Sequence, residues 1–432
     1  MWRWLWRALL ALLVLVLGVS GVMGWRYAQY APADPAVAPD PSALAYFHPD
    51  YAGARADFLT QGAQLAARWR DVERFAVPVA SNGFGQDLFV DAVYVPAQRS
   101  PRRLLILSSG VHGVEGGTGS AVQRMFMREL MNDETVADTG ILLLHALNPW
   151  GFAQSRRFTA RNVDLNRNAS TSASLYRTVN AGYPMVDPLI NPPAPVNLND
   201  WQHKLFLWRS VGMIAAHGMP VLRQAVLQGQ YQYPRGIYFG GQALEPQLAD
   251  LAPRLKTLLN AYPMSMSIDL HTGYGARGRL HVFLNPPGEE RVRQGLETVF
   301  GEYPIDWGSG ADFYTVTGDV TSWIGSLRSN GLHLPAVFEY GTLDSQSTLG
   351  AIKSLQITVL ENQGFQNGWA TPGDEGEART VIGSLDHAHM SPPPPPYTAG
   401  FFATDLFHPS EQGYRDWAGF AVDDAYESGV LR

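Results

Sequence analysis

Apolar and polar positions divide the chain into zones. An unbroken apolar stretch runs from Ala8 to about Trp25, with Arg3 and Arg7 ahead of it. Residues 31–44 are rich in Pro, Ala and Asp and carry no periodicity, as a linker does. From Tyr51 to Val72 apolar residues recur at helical spacing. From Phe75 to Val95 they alternate with polar ones on either side of Ser81-Asn82-Gly83, which predicts a β-hairpin. Leu104–Leu107 and Ile141–Leu147 are continuous apolar runs, as in strands buried on both faces. Between them Val122, Met125, Phe126 and Leu130 share one helical face within 118–131. Strand, helix, strand in this rhythm predicts an α/β domain on a largely parallel or mixed sheet, with active residues at the carboxyl ends of strands.

Residues 168–262 then separate two chemically suggestive segments. They hold a predicted helix at Leu205–Ala216, a Gly/Tyr-rich piece at 230–241 and a closing helix at Arg254–Asn260. An insertion of that length beside a site is expected to shape substrate access. The pattern therefore predicts an N-terminal segment at 1–30, a linker at 31–44 and a catalytic body at 45–367 that includes the insertion. A Pro-rich linker at 368–398 and a tail at 399–432 complete the chain.

Composition narrows the function. With 46% hydrophobic and 16% charged residues the chain is globular. A net charge of −7 argues against nucleic acid as a partner, because phosphate binding needs a basic footprint. Cysteine is absent, which excludes disulfides, thiolate metal sites and a Cys nucleophile. Any zinc must be held by His, Asp or Glu. The first apolar run is roughly eighteen residues, just enough for a membrane span. Arg3 and Arg7 would keep its start in the cytoplasm and place the body outside. It reads as an uncleaved anchor of a bacterial envelope protein with a periplasmic body. Signal cleavage near Gly18 to Gly24 and secretion is the alternative.

Four segments carry the chemistry. Leu104 to Ser109 ends in Gly110-Val111-His112-Gly113-Val114-Glu115, a histidine and a carboxylate three positions apart. Ser267-Ile268-Asp269-Leu270-His271 supplies a second histidine at a strand end. Two His and one carboxylate are the ligand set of a catalytic zinc, which keeps a fourth position for water and raises its acidity. Glu339 follows the apolar Leu334–Phe338 and is placed to act as general base and then proton donor. In Asn162-Val163-Asp164-Leu165-Asn166-Arg167, Asn166 and Arg167 are suited to grip a substrate carboxylate through a planar fork. One of Arg156, Arg157 and Arg161 would face the developing oxyanion, Arg157 first and Arg161 second. Asp164 reads as a supporting residue. His48, His145, His203, His217, His281 and His333 lack such company and read as structural.

In that order, His-x-x-Glu, Asn148-Pro149-Trp150-Gly151, the Val-Asp-Leu-Asn-Arg-Asn run, Asp-Leu-His and a late strand-end Glu resemble the zinc carboxypeptidase-like superfamily. The resemblance spans about 45–365 and points to an uncharacterised bacterial branch catalogued as a domain of unknown function. It implies a three-layer α/β/α sandwich around a mostly parallel mixed sheet. One Zn2+ would be bound by His112, Glu115 and His271, with Glu339 as base and Asn166 and Arg167 on a terminal carboxylate. The family's substrate-capping Tyr has a candidate in Tyr314, 25 positions before Glu339. The interval from Glu115 to His271 is longer than in digestive carboxypeptidases, owing to the insertion.

The expected activity is hydrolysis of amide bonds, most simply as a metallocarboxypeptidase acting on peptides outside the cytoplasmic membrane. An N-acyl amino acid deacylase of the aspartoacylase type is the second reading, and a metal-free binding module the third. The tail segment Thr404-Asp405-Leu406-Phe407-His408-Pro409 resembles the last block of Ser-Gly-Asn-His hydrolases. No Gly-Asp-Ser segment accompanies it, and a His–Asp pair without its Ser cannot run acyl transfer. The tail is therefore expected to be non-catalytic.

Overall fold

The computed structural model describes residues 2–30, 45–48, 50–80, 85, 87–277, 279–284, 289–300, 305–307 and 317–382. Its strands are β1 (Glu73–Val79), β2 (Leu88–Val95), β3 (Arg103–Ser109), β4 (Thr139–His145), β5 (Met264–Thr272), β6 (Leu280–Leu284), β7 (Ile305–Trp307) and β8 (Leu332–Tyr340). Helices up to the insertion are α1 (Trp2–Ala28), α2 (Tyr51–Arg68), α3 (Gly116–Met125) and α4 (Pro149–Ala153). The insertion forms α5 (Tyr183–Ile190), α6 (Trp201–Lys204), α7 (Phe206–His217), α8 (Met219–Leu227) and α9 (Pro246–Asn260). Then follow α10 (Glu290–Phe300), α11 (Val320–Ser326), α12 (Thr348–Asn367) and α13 (Pro372–Ile382).

One eight-stranded sheet runs in the order β1-β2-β4-β3-β5-β8-β6-β7. β4, β3, β5 and β8 are parallel, while β2 joins β4 and β6 joins β8 antiparallel. The expected hairpin is β1–β2, paired antiparallel from Glu73↔Tyr94 to Val79↔Leu88; its turn, Ser81 to Gly83, lies outside the described residues.

Strand alternation explains the layers. Leu105 and Leu107 of β3 join Phe58 of α2, Met125 of α3 and Phe300 of α10 on one face. Leu104 and Ile106 join Leu255 of α9 and Ile324 of α11 on the other. The sheet is thus covered on both sides, the α/β/α arrangement the sequence suggests. β5 departs from a uniformly apolar strand. Met264, Met266, Ile268 and Leu270 enter the first core, whereas the alternate residues Ser265, Ser267, Asp269 and His271 form a buried polar stripe. Buried polar groups need partners. Ser265 and Ser267 find theirs in the two ring nitrogens of His333, both at 2.9 Å, which accounts for that histidine structurally.

Two expectations are corrected. α9 begins at Pro246 rather than Arg254: Pro253 lies inside the helix, where a proline ordinarily marks a boundary. Residues 372–382, assigned to the start of a linker, form α13 packed on α12. Ile382 shares a cluster with Val114, Leu343 and Ile357. Residues 383–398 of the proposed linker and the tail at 399–432 lie outside the described residues.

α1 is long and apolar enough to cross a membrane, and none of its most apolar window is buried against the body. Only its end docks: Tyr27 is buried, and its hydroxyl donates to Gln356 Oε1 of α12 at 2.7 Å.

Candidate metal centre

β3 ends at Ser109, and Gly110 turns the chain with φ +64°. A Cβ there would stand 3.1 Å from the Ala146 backbone, a tight approach in a conformation that glycine adopts most readily. A single 3₁₀ turn, Gly113–Glu115, then leads into α3. Gly113 lies against the Gly151 backbone, where a Cβ would come within 2.0 Å of the carbonyl carbon. These close approaches seat His112 and Glu115 at the sheet edge, three residues apart on one side of the turn. His271 lies in the last turn of pleat of β5 and pairs in register with Glu339 of β8. All of this happens at the carboxyl ends of the parallel strands.

His112, Glu115 and His271 each offer a ligand atom within 4.8 Å of the others, and all three are buried. His112 Nδ1 lies 2.8 Å from Glu115 Oε1, His271 Nδ1 lies 3.0 Å from Glu115 Oε2, and the two Nδ1 atoms are 3.2 Å apart. The other ring nitrogens face acids: His112 Nε2 is 3.2 Å from Asp164 Oδ1, and His271 Nε2 is 2.6 Å from Asp269 Oδ2. Such carboxylate–imidazole pairs fix the tautomer and orientation of metal-ligating histidines. Asp269 is itself held by the Ser108 hydroxyl, which donates at 2.7 Å. The donor set, its convergence and its outer partners fit a single zinc.

Charge is balanced tightly here. Burial works to raise the Glu115 pKa, but the two imidazoles outweigh it and hold the carboxyl below its ordinary value. Burial opposes the charged form of Asp164 too, yet Arg157 and His112 keep it well below the carboxylate range. Glu339 goes the other way. Desolvation pushes it up to about 7 despite the pull of His271, and its Oε2 is buried with no hydrogen-bond partner among the described residues. A buried acceptor calls for a donor, and none of the described residues supplies one to this oxygen.

The arginines separate cleanly. Arg157 reaches the centre: Nε donates to Asp164 Oδ2 at 3.1 Å, Nη1 to Glu115 Oε1 at 3.4 Å, and Nη2 lies 2.7 Å from His112 Nε2. Arg156 is a buried structural residue, donating to Glu361, Asn162 and Asn362. Arg161 corrects the sequence reading. It donates to Glu245 at 2.8 Å, its side chain is 59% exposed, and it lines no part of the cavity that holds Arg157. A short loop lets neighbouring arginines diverge, so spacing alone left it a candidate.

Asn166 and Arg167 both line that cavity. Asn166 Oδ1 accepts from the Val320 amide at 3.0 Å. Arg167 Nε and Nη2 donate to the Leu227 carbonyl and Nη1 to that of Asn166, which fixes the guanidinium plane. Tyr314 lies outside the described residues.

Over residues 47–372 the sequence matches the family model described as "Protein of unknown function (DUF2817)". The chain belongs to the DUF2817 family. No curated protein matches it. Solved structures similar to this DUF2817 chain include carboxypeptidase A from Helicoverpa armigera, at TM-score 0.40 and 11% identity, covering 78% of this chain and 74% of that one. Thrombin activatable fibrinolysis inhibitor follows at TM-score 0.38 and 13% identity, covering 78% and 77%. A succinylglutamatedesuccinylase/aspartoacylase from Rhodobacter sphaeroides stands at TM-score 0.33 and 14% identity, covering 70% of each chain.

Two residues of this DUF2817 site escaped the sequence reading. Asp269 was part of the Asp-Leu-His motif but had no role; residues two apart on a strand share a face, which is the signal that could have found it. Tyr238, in the Gly/Tyr-rich piece, is buried with φ +57°, its ring 5.1 Å from the Arg157 guanidinium and 5.7 Å from that of Arg167. A non-glycine residue in that conformation stores strain and is common where function needs a fixed side chain.

Proposed function

We propose that this chain is a zinc-dependent hydrolase of amide bonds in substrates that carry a carboxylate. The observation that carries it is the convergence of His112 Nδ1, Glu115 and His271 Nδ1, each imidazole backed by its own acid, beside Glu339, whose Oε2 has no hydrogen-bond partner among the described residues. Bound at these three ligands, zinc supplies Lewis acidity and an activated water. Glu339 accepts the proton of the attacking water and returns it to the departing amine; its Oε2 has no competing partner among the described residues. Arg157, fixed by Asp164 and Glu115, faces the carbonyl oxygen as negative charge grows on it. Asn166 and the remaining N–H groups of Arg167 hold the substrate carboxylate.

Metallocarboxypeptidase action on peptides is the simplest form of this chemistry. Hydrolysis of N-acyl amino acids is the second, and one observation favours it: the insertion helices add a run of aliphatic side chains, Leu189, Met213, Ile214, Leu222 and Val226, to the cavity beside the ligands. The apolar α1 supports a membrane tether, with the body on the far side of the bilayer from Arg3 and Arg7.

Replacing Glu339 with Gln tests the roles. Zinc content, read by plasma mass spectrometry, should stay at one per chain while kcat falls about 10²–10⁴-fold. Loss of zinc from this variant would make Glu339 a ligand and overturn the assignment.

A further inference from the structure

His112 and Glu115 line a cavity of about 240 Å³. An engineered cavity of about 150 Å³ already takes a benzene-sized guest. His112, Glu115, Arg157 and Glu339 stand at one end of it. Interrupted by polar groups such as Ser210, Arg223 and Thr358, aliphatic side chains form part of the remaining wall: Leu189 of α5, Met213 and Ile214 of α7, Leu222 and Val226 of α8, and Leu355 of α12. None of these is needed to build the sheet. They belong to a separate cluster contributed by the insertion and α12.

The same helices receive the apolar N-terminal segment. Beyond the Tyr27–Gln356 bond, the Lys353 ammonium of α12 stands 5.3 Å from the centre of the Tyr27 ring. Gly24 backs onto the indole of Trp208 in α7, where a Cβ would be 3.4 Å away. The wall of the cavity and the seat of α1 are therefore two sides of one helical layer. That layer also leaves large apolar residues outside: Trp201 is 58% exposed, Leu205 45% and Val221 53%. With α1 crossing a membrane, these side chains would come near the bilayer interface, where amphipathic elements bury their apolar face.

We infer that the substrates are amphiphiles: amides with a long aliphatic acyl chain on one side and a carboxylate on the other, taken up from the membrane surface. This rests on the amide-hydrolase reading above and names its substrate class. The acyl chain occupies the aliphatic part of the cavity, the carboxylate lies at Arg167, and the amide between them comes to the metal ligands. Water adds to the amide carbonyl, the C–N bond breaks, and a fatty acid and a free amino acid leave.

The test uses the full-length, zinc-loaded protein in phosphatidylcholine vesicles and a series of N-acetyl-, N-octanoyl- and N-dodecanoylalanine. Each fully buried methylene is worth up to roughly fourfold, so kcat/KM should rise at least ~100-fold from acetyl to dodecanoyl. Met213→Trp and, on a different helix, Leu355→Trp should each cut the dodecanoyl-to-acetyl ratio about tenfold or more. Calorimetry on Glu339→Gln should show N-dodecanoylalanine binding with no detectable binding of N-acetylalanine. A flat chain-length profile with turnover that Glu339→Gln abolishes would refute the acyl-chain assignment and leave the hydrolase reading standing. No Glu339-dependent turnover of any of these amides, or of peptides, would refute both.

Discussion

At the carboxyl ends of β3 and β5, His112, Glu115 and His271 are buried and held by acids or imidazoles two or three residues away, and half-buried Glu339 stands in register with His271 on the neighbouring β8. Across the cavity, α5, α7 and α8 present aliphatic side chains held by packing alone, on a layer that also touches α1. The strand ends specify a reaction, because each polar atom must be matched in distance and charge. The helical wall specifies a shape, because any aliphatic residue of similar volume serves. One region is therefore intolerant of single changes and the other graded, a contrast that mutation can break or sharpen.

The strongest break is His271→Ala at the strand ends. Zinc content should fall from one per chain to below a tenth, with turnover lost alongside it, because two remaining ligands cannot hold the ion. Asp269→Asn comes next: His271 stays, but the acid that orients its Nε2 is gone, and zinc affinity in a competition titration should drop about 10–100-fold. Arg167→Lys keeps the charge and removes the planar fork tied to Leu227. It should raise KM for carboxylate-bearing substrates about tenfold with a small change in kcat. The least affected should be Arg161→Ala, an exposed pair with Glu245 outside the cavity, with a kcat/KM within about twofold of the parent.

What the sequence revealed follows the same division. Gly110-x-His112-x-x-Glu115, Asp-Leu-His271 and the strand-end Glu339 were legible because metal and proton chemistry admit few residue types, and because apolar runs located the strand ends. The central strands β3, β4 and β8 showed for the same reason, whereas β5, which alternates apolar and polar residues, was marked by its Asp-Leu-His end. β6, β7 and α11 are short and went unread, as did α10, although its Val292, Leu296, Val299 and Phe300 recur at helical spacing. Arg161 could not be separated from Arg157, since side chains four apart in a loop share no fixed geometry. The helical wall was opaque: Leu189, Met213 and Leu222 look like any core residues, and only packing brings them to face Glu339 across the cavity. α13 was missed because Gly, Asp and Glu at 373–377 resemble a linker, although Ala378 and Ile382 bury its inner side.

The central claim is that two imidazoles and one carboxylate share one ion. Anomalous diffraction at the zinc edge from crystals of the purified protein tests it most directly. The account predicts one peak per chain, about 2.0–2.2 Å from His112 Nδ1, His271 Nδ1 and a Glu115 carboxylate oxygen. A peak at other side chains, or none after growth in zinc, would contradict it.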